Sequence, residues 1–153
     1  MCSNFGVEYG AGMSHIGLSP GGSIHDNKIY YNDAVDAGAD AVITQLFYNN
    51  DDFFRFRERY EKTGIQVPLV PGILPVTSLR QIKRITAMCG AGLPKLFIDE
   101  LSKRDDPEWQ FEVGVEFASR QVQGLLDAGI PGVHFYVLNK SVATSAVLQN
   151  VQI

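Results

Sequence analysis

The chain has 153 residues, 45% hydrophobic and 20% charged, with a formal net charge of −4. That composition supports a sizeable core and excludes intrinsic disorder, collagen-like repeats and a coiled coil. The acidic balance argues against a nucleic-acid partner, and two distant cysteines, Cys2 and Cys89, make neither a disulfide framework nor a zinc site. No basic-then-apolar leader opens the sequence, and no apolar run approaches the ~20 residues of a membrane helix. The expectation is a cytoplasmic protein in a reducing compartment, with no membrane partner.

In chain order, residues 1–26 read as a Gly- and Ser-rich loop, with a short strand over 5–9. Gly10-Ala-Gly12 touches on a dinucleotide fingerprint, but its third glycine is misplaced and no clear strand precedes it. Residues 28–37 carry Ile29, Tyr30, Ala34 and Val35 at helical spacing, with Gly38 as the stop. The β-branched run 41–47 is a buried strand. Asp51 or Asp52 caps a helix to about Lys62, with Phe53, Phe56, the Arg57 stem and Tyr60 inward and Gly64 as the stop. A strand follows over 67–74, its prolines belonging at its ends or at a bulge.

Thr77 or Ser78 caps the next helix, with Leu79, Ile82 and Ile85 on one stripe, ending at Gly90. A short helix over 93–101 has Pro94 in its first turn. Asp106-Pro107-Glu108 then opens a long helix to about Ala128, with the cap, N1 proline and N2 acid in ideal order. Its inward positions are Val115, Ala118, Val122 and Leu125, and Gly129 stops it. A strand over 133–138 and a helix over 141–149 complete the chain. Strands alternating with helices predict βαβ units and a parallel sheet with its helices outside.

In such folds ligands are met at the carboxyl ends of strands. Those ends carry Thr44-Gln45, Pro71-Gly72 and Asn139-Lys140. Gln45 interrupts an apolar run, and a buried amide needs partners. It serves either the amide-like edge of a heterocycle or a neighbouring loop. If alternation holds, it faces the concave side near Lys140, with Thr44 and Leu46 on the opposite face. Pro71-Gly72 either admits a planar ligand to the backbone or makes a plain βα turn. Lys140 meets an anion or solvent. His134 reads as a core histidine, and Phe53, Phe54 and Phe56 as helix packing. No nucleophile–base pair, Walker loop, HExxH or GxSxG is present, so any catalysis needs an organic cofactor.

The run Val35-Asp-Ala-Gly-Ala-Asp-Ala-Val-Ile-Thr-Gln-Leu-Phe47 resembles the methylenetetrahydrofolate reductase family. So do the Phe53–Arg57 run, Val70-Pro-Gly-Ile-Leu-Pro-Val76 and His134-Phe-Tyr-Val-Leu-Asn139, in the family's order and at its spacings over about 26–147. The resemblance implies an α/β fold, a partial (β/α)₈ TIM barrel comprising roughly the second half. It implies a flavoprotein oxidoreductase of one-carbon and methionine metabolism. That enzyme reduces 5,10-methylenetetrahydrofolate to 5-methyltetrahydrofolate, with FAD as cofactor and NADH or NADPH as hydride donor.

By the same resemblance Gln45, Gln81 and Lys140 are substrate-binding. Lys140 stands where the family has arginine and loses its bidentate fork. Ile85 stands at a stacking aromatic. His15, in Ser14-His-Ile-Gly17, and Asp26 or Asn27 are the cofactor-binding positions. Asp33 and Ala34 replace basic residues near the FAD phosphates, so weak FAD binding or none is expected of this chain alone. A full barrel takes about 250 residues, and the family's glutamate general acid belongs to the half before this one. The expected partner is therefore that N-terminal half or a second copy. The alternative is a non-catalytic half-barrel that binds or assembles, or a different α/β barrel enzyme.

Overall fold

The computed structural model describes residues 13–16, 38–89, 92–137 and 141–152. Four strands form one sheet in chain order: β1 (Met13–Ile16), β2 (Ala41–Leu46), β3 (Leu69–Ile73) and β4 (His134–Phe135). Every neighbouring pair is parallel, as the alternation predicts. The described helices are α1 (Asn50–Lys62), α2 (Leu79–Cys89), α3 (Lys95–Leu101), α4 (Pro107–Asp127) and α5 (Val142–Asn150). The expected strand over 5–9 and helix over 28–37 lie outside the described residues.

Several boundaries differ from the sequence reading, each for a physical reason. The stretch 1–26 reads as loop, yet β1 lies inside it, paired from Met13↔Ala41 to Ile16↔Thr44. Four residues with no apolar alternation become a strand because β2 offers them a ladder. The cap of α1 is Asn49, not Asp51 or Asp52. Its extended backbone (φ −127°, ψ 118°) lets Oδ1 accept from the Asp51 N–H at 3.0 Å. The two aspartates then sit in the first turn, where the helix dipole favours them. β4 is shorter than 133–138, because β3 offers it only Gly72 and Ile73. Pro94 precedes α3 as its cap residue.

Pro71 stands in the middle of β3, where proline normally removes a ladder bond. Tyr136 N–H donates to Ile73 O at 2.8 Å, so residues of that parity bond toward β4. The donor Pro71 lacks would point to the same side, before β4 begins at His134. No ladder bond is lost.

The apolar residues make three clusters. Phe47, Phe53 and Ile73 pack against Val115, Ala118, Val122 and Leu125 of α4 and Ala143 and Val147 of α5. Leu46, Leu74 and Val76 pack with Ile82, Phe97, Leu101 and Val113. Val42 packs with Phe56 and Tyr60 of α1. The phenylalanines are packing residues as expected: Phe53 stacks on Phe47 with centroids 5.4 Å apart. The long helix begins as its sequence dictates, with Asp106 Oδ1 accepting from Glu108 N–H at 2.8 Å. Among the described residues no helix is long and apolar enough to cross a membrane, and no His, Cys, Asp and Glu cluster could hold a metal ion.

Candidate functional site

The carboxyl ends of β2 and β3 are where the sheet departs from regularity. The register runs Val42↔Leu69 and Ile43↔Val70, then resumes at Leu46↔Gly72. β2 thus advances three residues while β3 advances two, which makes a bulge at Thr44-Gln45. The packing shows its effect. Val42 and Leu46 would share a face under strict alternation, yet Val42 packs on α1 and Leu46 lies with Leu74 and Tyr136. Phe47, five residues after Val42, returns to the helical layer beside Phe53. Alternation therefore does not carry through Gln45, and the expectation that parity alone places it opposite Thr44 and Leu46 is corrected.

Thr44 is fully buried (0% exposed) and holds the bulge through two polar atoms. Its Oγ1 accepts from the Gly72 N–H at 2.9 Å. Its carbonyl accepts from the Tyr136 hydroxyl at 3.0 Å, across 92 residues of sequence. Gly72 is required here: a Cβ would lie 2.2 Å from Thr44 O and 2.7 Å from the Tyr136 ring. The ring of His134 meets that of Tyr136 edge-on, centroids 4.8 Å apart. His134 is half-buried in the sheet, short of the fully buried position its reading as a core histidine implies. Gln45 is half-buried, and its Oε1 lies 3.3 Å from the Leu46 N–H that donates to it.

Beyond β3 the chain is docked onto α4. Gly114 lets the helix touch the backbone of Val76, where a Cβ would sit 1.7 Å from the carbonyl oxygen. One turn earlier Gln110, 6% exposed, accepts from Leu79 N–H at 3.0 Å through Oε1. Its Nε2 donates to Arg104 O at 3.1 Å. Ser78 caps α2, its Oγ accepting from Gln81 N–H at 3.1 Å. Gln81 answers with its own Oε1, which accepts from Thr77 N–H at 3.0 Å and from Thr77 Oγ1 at 2.6 Å. This is a capping box displaced by one residue, and it fixes the orientation of the Gln81 amide. On the other side of the site, Gln121 of α4 donates to Phe47 O at 2.9 Å, and Asn50 Nδ2 donates to Gln121 O at 2.9 Å.

Of the residues singled out from sequence, Gln45 stands at the β2 bulge and Gln81 in the first turn of α2. His15 belongs to β1, paired with Ile43. Lys140, Asp26 and Asn27 lie outside the described residues. The sequence reading named Thr44 only by its place at a strand end, and it missed Tyr136, Gln110 and Gln121. The last two had a signal: Gln110, Gly114, Ala118, Gln121 and Leu125 recur at helical spacing, so two amides and a glycine occupy an otherwise apolar stripe.

Among the described cations, Arg80, Lys83 and Arg84 stand in the first two turns of α2, just beyond β3. Arg55, Arg57 and Lys62 of α1, Lys95 of α3, Lys103 after it and Arg120 of α4 make ion pairs with acids three or four residues away. Arg104 lies 4.4 Å from the centre of the Trp109 ring. Behind β2, Tyr60 donates to Val67 O at 2.8 Å, and burial pushes its phenol up to about 12.

Residues 14–152 match the family model for methylenetetrahydrofolate reductase. The chain belongs to that family. It is 33% identical over 135 residues to methylenetetrahydrofolate reductase (NADH) 1 of Arabidopsis thaliana, covering 88% of this chain and 23% of that protein. It is 37% identical over 114 residues to 5,10-methylenetetrahydrofolate reductase of Pectobacterium carotovorum subsp. carotovorum, and 36% identical over 114 to that of Escherichia coli (strain K12). Both matches cover 74% of this chain and 38% of the relative. The chain thus spans well under half the length of these relatives. Its fold is similar to that of a Clostridium thermocellum protein described as uncharacterized and as binding two copies of 5-methyl-5,6,7,8-tetrahydrofolic acid. The TM-score is 0.50 at 21% identity, over 82% of this chain and 47% of the other. At that identity the likeness concerns the fold alone: parallel strands alternating with helices.

Proposed function

We propose that this chain forms the folate-binding wall of a methylenetetrahydrofolate reductase. The whole enzyme reduces 5,10-methylenetetrahydrofolate to 5-methyltetrahydrofolate in the cytoplasm, in service of methionine synthesis, with NADH or NADPH as donor. The observation that carries this reading is Gln45, seated at the bulge ending β2 in a chain that matches the reductase family over 14–152. An amide offers one acceptor and two donors, which suits the mixed edge of a pterin. Gln81 is the second contact. Its Oε1 is engaged by Thr77, so the group it offers a ligand is its NH₂. Lys140 supplies charge to the folate carboxylates.

FAD would serve the whole enzyme as hydride relay. By themselves the described residues are expected to bind it weakly or not at all. The glycine at the end of β3 opens no cradle, since Thr44 O and the Tyr136 ring fill the space a Cβ would take. Arg55, Arg57, Lys62, Lys95, Lys103 and Arg120 are engaged by acids three or four residues away. Flavin contacts fall to His15, Asp26 and Asn27 and to a further set of strands. An eight-stranded barrel takes four strands beyond the four described.

Calorimetric titration of the 153-residue chain with 5-methyltetrahydrofolate, and separately with FAD, tests the proposal. Saturable folate binding, weakened about ten- to a hundredfold by Gln45→Ala, and no tight FAD binding are expected. Folate affinity unchanged by Gln45→Ala would remove Gln45 from the site. Stoichiometric FAD binding would overturn the assignment of the flavin to other strands.

A further inference from the structure

We infer that Thr44 and Tyr136 are positioning residues: together they hold the β2 bulge and so set the direction of the Gln45 amide. Only the last step, from amide direction to folate affinity, rests on the proposed function.

The register states what the bulge replaces. Val42 N–H donates to Pro68 O at 2.9 Å and Val42 pairs with Leu69. A ladder continued in that register brings the Gly72 N–H to the main-chain carbonyl of Thr44. Here the Gly72 N–H donates to the Thr44 hydroxyl, and the Thr44 carbonyl accepts from the Tyr136 phenol. A side chain has taken the ladder bond, and a hydroxyl from β4's continuation has taken the acceptor that would restore it. Thr44 is buried, so neither group has water as an alternative partner.

Without these two bonds the ladder can close by one residue. A one-residue slip moves every following side chain to the other face, and Gln45 is the first residue to feel it. Bulges beside ligand sites commonly re-aim a side chain in this way. Sterics add a constraint: Gly72 has no room for a Cβ between Thr44 O and the Tyr136 ring, so the three residues fit only as a set.

The test uses the ¹⁵N-labelled 153-residue chain, with the Gln45 side-chain amide assigned by its loss in Gln45→Ala. Three variants are compared. Thr44→Val keeps the shape and removes the hydroxyl, Thr44→Ser keeps the hydroxyl, and Tyr136→Phe removes only the phenol oxygen. The Gln45 side-chain amide and the Leu46 and Gly72 backbone amides should shift in Thr44→Val and Tyr136→Phe. In Thr44→Ser they should overlay the wild type. Affinity for 5-methyltetrahydrofolate should fall about three- to tenfold in the first two and stay within about twofold in Thr44→Ser. Tyr136→Phe keeps the ring over Gly72 and carries the test should Thr44→Val not fold. Gln45 resonances unmoved in Tyr136→Phe would overturn the inference. If they move while Gln45→Ala binds folate like the wild type, the clamp stands and the folate role of Gln45 falls.

Discussion

Alanine at Gly114 brings two opposed effects to one position. In a helix interior alanine is favoured over glycine by about 1 kcal/mol, and residue 114 lies well inside α4. Against this, the new Cβ would stand 1.7 Å from Val76 O and 2.8 Å from its carbonyl carbon. Both atoms are backbone, so no rotamer relieves the overlap, and α4 must withdraw by more than about 1 Å. Overpacking of this kind costs about 1–3 kcal/mol. Withdrawal also pulls Gln110 from the Leu79 N–H it accepts at 3.0 Å, a further loss of about 1 kcal/mol. Set against the propensity gain, Gly114→Ala should destabilise by about 1–3 kcal/mol. Urea unfolding followed by circular dichroism reads this as a lower midpoint, by about 1 M for slopes of ~1–3 kcal/mol/M. A midpoint that rises would mean that propensity governs this position, and that the close approach of α4 to Val76 is not a feature of the folded protein.

Gln121→Leu should leave the buried Phe47 carbonyl without its donor and cost about 1–3 kcal/mol; an unchanged urea midpoint would refute the clamp between α4 and the end of β2. Tyr60 has its phenol raised from 10.0 to about 12 by burial, so the native state holds that proton more tightly than the unfolded chain. The associated stability is complete below pH 10 and is lost as pH rises through 12. Urea midpoints across this window should fall more steeply for the wild type than for Tyr60→Phe, and parallel slopes would refute it. At neutral pH the same substitution should cost about 0.5–1.5 kcal/mol through the lost bond to Val67 O.

The parallel alternation of strands and helices was legible in the sequence because its causes are local. Apolar runs such as 41–47 and caps such as Asp106-Pro107-Glu108 act within a few residues, and both appear where the pattern puts them. The family blocks were legible for the same reason, being contiguous motifs. Tertiary structure alone decided the rest. β1 exists because β2 lends a ladder to four residues without a strand pattern of their own. β4 ends early because β3 does. Gln81, proposed as a ligand contact from the family resemblance, also closes the cap of α2. The bulge that carries Gln45 depends on a hydroxyl from Thr44 and another from Tyr136, and the end of β2 hangs on Gln121. Those bonds join residues 28, 92 and 74 positions apart. Contacts at such separations leave no period in the sequence, and they form only when the sheet brings their partners together.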